Sequence, residues 1–130
     1  MDITTQSHLT TLRRLLLYRL RDLRADLQAA EAGDRAEAEE GTEPGDSKDS
    51  AMHQQFASVR DAEERRDIDE LVCVEAALHR LDSGTYGDCL ECGDAIALQR
   101  LLVQPAALRC AACQTALEHT RSAQRAPQGA

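Results

Sequence analysis

Four cysteines have the residue type and the spacing of a metal site. They form two Cys-x-x-Cys pairs, Cys89 with Cys92 and Cys110 with Cys113, and seventeen residues separate the pairs. A two-residue gap lets both thiolates of a pair reach the same metal ion, and two such pairs supply the four sulfurs of a tetrahedral zinc site. Because four protein sulfurs leave no position open for water or substrate, the pattern predicts one structural zinc ion.

Other uses of these cysteines have less support in the sequence. A thioredoxin-like redox pair requires a Cys-x-x-Cys beside a βαβ pattern, which the chain lacks, and disulfides suit an oxidising compartment. None of the histidines is needed as a ligand; they are His8, His53, His79 and His119. The fifth cysteine, Cys73, lies between two valines and is interpreted as a packing residue, with a redox sensor as the alternative.

Two long helices are predicted before the cysteines. Over residues 7–40 the apolar positions recur every three or four residues, which is the spacing of a coiled-coil seam; they are Leu9, Leu12, Leu16, Leu20, Leu23, Leu27 and Ala30. Two glycines and a proline within residues 41–45 interrupt the pattern, as expected of a turn. A second helix then begins at Asp46 or Ser47 and runs to about Asp82.

Helices of about 35 residues joined by so short a turn must fold back as an antiparallel hairpin, with arms of roughly 50 Å. The second helix has an apolar stripe that slips between Val59 and Ile68, where most residues are charged; its members are Met52, Phe56, Val59, Ile68, Leu71, Val74, Leu78 and Leu81. We therefore expect the tightest pairing near the base of the hairpin.

The predicted fold is mainly α. Residues 1–83 are assigned to the antiparallel coiled-coil hairpin, with its tip at about 41–51, and residues 84–125 to a small four-cysteine zinc-finger globule with a short C-terminal helix. Leu117 is expected to point inward from that helix, and residues 126–130 are expected to be a flexible tail.

Composition argues against several classes of protein. The net charge is −8 and Lys48 is the single lysine, whereas nucleic-acid binding depends on clustered Lys and Arg. The longest apolar run, residues 15–18, is far short of the roughly 20 residues that span a bilayer. No export signal is visible, so a cytoplasmic protein is expected. No nucleophile, base and oxyanion set can be assembled, so an enzyme is disfavoured.

The predicted hairpin tip is acidic. Residues 31–50 contain eight Asp or Glu against Arg35 and Lys48, a net charge of −6. Composition alone leaves two interpretations open: a solubilising loop, or a functional surface.

The order of these motifs resembles the DksA/TraR family of bacterial transcription regulators. The resemblance covers about residues 8–120 and depends on residues 84–93 with the sequence GTYGDCLECG, on Arg100-Leu101 and Pro105 before Cys110, and on the tip sequence DSKDSA of residues 46–51. That tip sequence matches the family motif Asp-x-x-Asp-x-Ala. Relative to longer members, this chain lacks an N-terminal extension of about two dozen residues.

The resemblance implies a regulator of RNA polymerase that acts without catalysis. Family members insert the hairpin into the secondary channel of the polymerase, where the tip weakens open promoter complexes such as those at ribosomal RNA promoters. In this chain Asp46 and Asp49 would be the effectors, and Ala51 the small residue that permits close approach. The implied protein is a monomer with one structural zinc ion, with no specific DNA contacts expected of it.

One departure from the family concerns the alarmone guanosine tetraphosphate. Members that respond to it use basic side chains at three places, which by ungapped position hold Cys73, Gln104 and Gln114 here. Because a polyphosphate needs cationic partners, the sequence predicts weak or no dependence on the alarmone. The alternative function is a zinc-stabilised coiled-coil adaptor for another protein partner.

Overall fold

The computed structural model describes the backbone of residues 1–39 and 47–125, and the side chains of residues 1–33 and 58–123. Within the described backbone five helices follow one another: α1 (Ile3–Gln6), α2 (Leu9–Glu39), α3 (Ser47–Ser83), α4 (Leu98–Val103) and α5 (Ala111–Arg125). Within the described ranges the only extended pairing is an isolated bridge between Asp88 and Ala95. The predicted mainly helical fold with two long helices and a C-terminal helix is confirmed.

The chain divides into two compact units. Met1–Leu17 and the residues from Cys73 onward form the first unit, and Tyr18–Val72 form the second. Each long helix therefore contributes to both units, and the predicted zinc finger shares its unit with the start of α2 and the end of α3. The boundary predicted at residues 83 and 84 is not tested by this division and stays a prediction.

The first unit has a continuous apolar core. Its fully buried side chains come from α2, α3 and the segment that carries the cysteines; they are Leu12, Leu16, Val74, Ala77, Tyr86, Ile96 and Leu101. The Tyr86 hydroxyl donates a hydrogen bond of 2.8 Å to the carbonyl of Pro105. Burial raises the pKa of Tyr86 to about 12, so this phenol remains a neutral donor at physiological pH.

The two long helices are also joined in the first unit by an ion pair. Both terminal nitrogens of Arg13 lie 3.1 Å from one carboxylate oxygen of Asp82. These groups are exposed, so the pair sets orientation more than it adds stability.

Helix α3 ends at a glycine for a conformational reason. Gly84 has a φ of +79°, a backbone conformation that side chains with a Cβ rarely adopt. The amides of Thr85 and Tyr86 donate to the carbonyl of Arg80, at 2.9 and 3.1 Å. This arrangement satisfies a carbonyl that the end of the helix would otherwise leave unpaired, and it fixes the direction in which the chain enters the cysteine segment.

In the second unit, α2 and α3 run antiparallel. Arg19 forms a bidentate ion pair with Glu70, whereas residues 26–33 of α2 face residues 60–67 of α3 across an open groove of about 450 Å³. Apolar burial is thin here, since Leu23 is the single fully buried hydrophobic among the described side chains of this unit.

The groove explains the slip in the apolar stripe. Three of the five lining residues of α2 are small (Ala29, Ala30 and Gly33), and all the lining residues of α3 are charged. Val59 and Ile68, which were predicted to lie in the seam, are 56% and 44% exposed. That part of the prediction is wrong, because α3 carries acids where the helix pair would need apolar side chains.

No helix in the described part of the chain is long and apolar enough to cross a lipid bilayer.

The seam in the first unit can be tested with neighbouring leucines of one helix. We expect Leu16→Ala to lower the free energy of unfolding by about 2–5 kcal/mol, the usual cost of a buried cavity. Leu17, which is 50% exposed, serves as the matched control, and Leu17→Ala should cost about 0.5 kcal/mol. Urea denaturation followed by circular dichroism measures both, and equal losses would contradict this assignment of the core.

Candidate metal centre

The four predicted cysteines converge on one point. The sulfur atoms of Cys89, Cys92, Cys110 and Cys113 all lie within 4.8 Å of one another, and the sulfurs of Cys92 and Cys110 are 3.9 Å apart. A tetrahedral zinc site with metal–sulfur bonds of about 2.3 Å has sulfurs separated by about 3.8 Å. The set fits a single structural zinc ion with four thiolate ligands and no open position.

The first cysteine pair lies on a tight turn. The amide of Cys89 donates to the carbonyl of Asp94 at 2.8 Å, and the amide of Gly93 donates to the carbonyl of Cys89 at 3.0 Å. Together with the bridge between Asp88 and Ala95, these bonds turn both sulfurs of the pair to the same side. Cys89 is buried, whereas Cys92 is exposed.

The second cysteine pair is positioned by the start of α5. Cys110 directly precedes the helix and accepts, through its carbonyl, a 2.9 Å hydrogen bond from the amide of Gln114. The amide of Cys113 lies 3.5 Å from the sulfur of Cys110. The positive end of the helix dipole therefore lies beside two groups that must be negatively charged to bind the metal.

Protein contacts also hold the two cysteine pairs against each other. The amide of Leu90 donates to the carbonyl of Leu108 at 2.8 Å, and Glu91 accepts a hydrogen bond from the Arg109 guanidinium at 3.2 Å. The guanidinium of Arg100 donates in turn to the Arg109 carbonyl at 3.1 Å. Arg100 therefore fixes the backbone immediately before Cys110.

The thiols differ in acidity because their hydrogen bonds differ. Backbone N–H groups, that of Cys92 first and that of Cys110 next, lower the pKa of Cys89 to about 6. Hydrogen bonds to the sulfurs of Cys110 and Cys89 raise the pKa of Cys113 to about 12. Because zinc takes its cysteine ligands as thiolates, metal binding would release the protons that remain on the four sulfurs.

Sequence reasoning missed the contacts that join α3 to the metal centre. The Arg80 guanidinium donates to the carbonyls of Thr85 and Asp88, and Asp88 directly precedes the first ligand. A basic residue in the last turn of a helix that ends at a glycine was the available signal. Among the described side chains, the histidines left out of the ligand set do not join it, and His79 and His119 are exposed.

The predicted tip residues are only partly covered by the structure. Asp46 lies outside the described residues, whereas Asp49 and Ala51 belong to the backbone of α3 and their side chains lie outside the described set. Their predicted role is therefore untested. Of the positions that replace the basic alarmone contacts, Cys73 is half-buried in α3, Gln104 is exposed, and Gln114 donates to Glu118 at 3.1 Å.

Two comparisons with known proteins agree with the sequence motifs. Residues 84–119 match the family described as the prokaryotic dksA/traR C4-type zinc finger. Among solved structures, the chain is similar to that of transcription factor DksA2 from Pseudomonas aeruginosa, with a TM-score of 0.70 and 28% sequence identity over 89% of this chain and 87% of that chain. No curated protein sequence matches the chain significantly.

Metal content tests the ligand set. We expect one zinc per chain in the wild type, measured by mass spectrometry of the metal after dialysis against a weak chelator. Cys92→Ser should lose most of that zinc, because a hydroxyl does not replace a thiolate ligand. Cys73→Ser is the control and should keep one zinc, since Cys73 is not among the clustered sulfurs. Full zinc retention by Cys92→Ser would contradict the assignment.

Proposed function

From the premise that this chain is a DksA-like protein with a dksA/traR-type zinc finger, we propose that it is a transcription factor of the DksA type. The observation that carries the proposal is the similarity to transcription factor DksA2, which extends over 89% of this chain. Because 89% of the chain is far more than the finger match of residues 84–119, the proposal does not depend on the zinc motif alone.

The metal centre supports a regulator that acts by contact rather than by catalysis. Four sulfur ligands leave the zinc without the open position that hydrolytic zinc enzymes need for water or substrate. The surrounding hydrogen bonds of Arg80, Arg100 and Leu90 hold the backbone in place. The ion would therefore stabilise the globule that joins the end of α3 to α5.

We propose RNA polymerase as the partner, entered through its secondary channel by the tip of the helix pair. The support is the sequence DSKDSA at residues 46–51, which resembles the family's tip motif, together with the net charge of −6 over residues 31–50. Asp46 and Asp49 are the proposed effectors and Ala51 the residue that allows close approach. The excess of acidic residues over residues 31–50 suits contact with positively charged groups of a partner.

We also propose weak or no dependence on guanosine tetraphosphate, because the three positions that hold basic residues in alarmone-responsive members hold other residues here. Cys73 and Gln104 carry no positive charge, and the Gln114 amide is already paired with Glu118 within α5. A bound polyphosphate would lack the charge-assisted hydrogen bonds that usually hold it.

The effector role is tested by neutralising single carboxylates. We expect Asp46→Asn and Asp49→Asn each to abolish inhibition of a ribosomal RNA promoter in a reconstituted transcription assay, because each removes a negative charge while keeping the side-chain shape. Affinity for the polymerase should stay close to that of the wild type. The control is Asp69→Asn, an exposed acid of α3 outside the motif, which should inhibit as the wild type does.

Full inhibition by both tip variants would show that the tip is not the effector. A pulldown that recovers no polymerase subunits would instead favour an adaptor for another protein partner.

Dependence on the alarmone is tested in the same transcription assay, with the ribosomal RNA promoter and with or without guanosine tetraphosphate. We expect inhibition by this protein to change little when the alarmone is added, because the three positions lack cations. The triple variant Cys73→Arg, Gln104→Lys, Gln114→Lys should gain a measurable alarmone response. Strong synergy between the wild-type protein and the alarmone would contradict the proposal.

A further inference from the structure

The start of the chain packs on the backbone that leads into the metal centre. The Met1 ammonium lies 2.6 Å from a carboxylate oxygen of Asp88, and the side chains of Met1 and Thr5 contact Gly87. This segment was not predicted, since the first helix was expected to begin at about residue 7. Gly87 and Asp88 directly precede Cys89, so the contact lies next to the first zinc ligand.

The contact requires a glycine on one side and a buried threonine on the other. Gly87 has a φ of +88°, and a Cβ built there would lie 3.2 Å from the Met1 side chain and 3.4 Å from that of Thr5. Thr5 is fully buried, yet its hydroxyl has no hydrogen-bond partner. An unpaired buried hydroxyl costs free energy, so Thr5 is held there by packing, to which Gly87 contributes.

The opposite side of this short segment is fixed by the finger. The Gly87 carbonyl accepts a 2.7 Å hydrogen bond from the amide of Ile96, and the Cys89 amide donates to Asp94. Residues 87–89 thus lie with the cysteine turn on one side and the first residues of the chain on the other. Their position depends on the turn that zinc would hold closed.

The first residues continue almost directly into the long helix. The amide of His8 donates to the carbonyl of Thr5 at 3.0 Å, and the amide of Leu12 donates to the carbonyl of His8 at 2.9 Å. Helix α1 has four residues, which is too short to be stable alone. The segment therefore needs packing from outside itself, and Gly87 and Asp88 supply part of that packing.

We infer that residues 1–8 form a latch whose docking on residues 87–89 depends on the zinc ion. With Cys89 ligated, the turn is closed and the latch is docked; without the metal, the turn relaxes and the latch leaves. Because residues 1–8 lead directly into α2, the presence or absence of zinc in the finger would change the conformation at the start of that helix. This inference rests on the finger's zinc binding and does not depend on the proposed action at RNA polymerase.

Hydrogen exchange measured by mass spectrometry tests the latch on the full chain. In the zinc-loaded protein we expect protection of the amides of Gln6, Ser7 and His8, which donate to the carbonyls of Asp2, Ile3 and Thr5. Removal of zinc with a chelator should reduce that protection to the level of an unstructured peptide, and added zinc should restore it. Unchanged protection of residues 1–8 in the metal-free protein would overturn the inference.

Two glycine variants separate the latch from general damage to the finger. Gly84 and Gly87 both have positive φ, at +79° and +88°, but a Cβ on Gly84 meets no atom within 4 Å. Both Gly84→Ala and Gly87→Ala therefore introduce backbone strain, whereas only Gly87→Ala adds a Cβ that crowds the Met1 and Thr5 side chains, at 3.2 and 3.4 Å. We expect Gly87→Ala to raise exchange in residues 1–8 relative to Gly84→Ala while zinc is still bound.

Zinc affinity is the second measurement, because docking of residues 1–8 and binding of zinc are thermodynamically linked. If docking of the latch and binding of zinc are coupled, loss of docking in Gly87→Ala weakens zinc binding by at most the factor by which zinc favours docking, and coupling factors are typically about 5- to 150-fold. Competition with a chromophoric chelator measures this relative to Gly84→Ala. Zinc binding of equal strength in the two variants, with residues 1–8 exposed in Gly87→Ala, would overturn the coupling.

A substitution within residues 1–8 tests the inference without changing Gly87. Thr5→Asp places a charge at a buried position, whereas Thr4→Asp places it at an exposed one. Thr5→Asp should expose residues 1–8 and weaken zinc binding as Gly87→Ala does, and Thr4→Asp should do neither. Equal behaviour of the two threonine variants would contradict the inference.

Discussion

The meeting of four cysteine sulfurs within 4.8 Å of one another is the constraint on which the first unit depends. Thiolates at that separation repel one another, so four of them need a cation among them. A divalent cation removes the repulsion by taking all four as ligands. The segments that carry the sulfurs are then bound to one another: the turn of residues 89–92 and the start of α5.

Hydrogen bonds from two arginines connect the zinc site to the neighbouring helices. Arg80 reaches from the last turn of α3 to the carbonyl of Asp88, and Arg100 reaches from α4 to the carbonyl of Arg109. Each cysteine pair thus has an arginine holding the residue just before its first ligand. Beside them, Tyr86, Ile96 and Leu101 are fully buried. These side chains form a small apolar core, and a core of that size usually needs a metal or a disulfide to stabilise the fold.

Periodic and spaced features were predictable from the sequence. The leucine spacing of α2, the break before α3, and the Cys-x-x-Cys pairs each repeat a local rule, so the two long helices and the metal centre were found. The packing of Thr5 on Gly87 was not, because it joins residues 82 positions apart through shape alone. Val59 and Ile68 were misplaced because periodicity does not show which face of a charged helix finds a partner.

The groove in the second unit has a mechanical consequence. Where residues 26–33 and 60–67 face each other across about 450 Å³ of open space, moving the helices apart exposes little new apolar surface. At roughly 25 cal/mol per Å², the restoring force against separation of the two helices is correspondingly small, whereas a displacement at Leu12 and Leu16 would open a fully buried core. Among the described residues, the two helices are therefore held together more weakly at the groove than at Leu12 and Leu16.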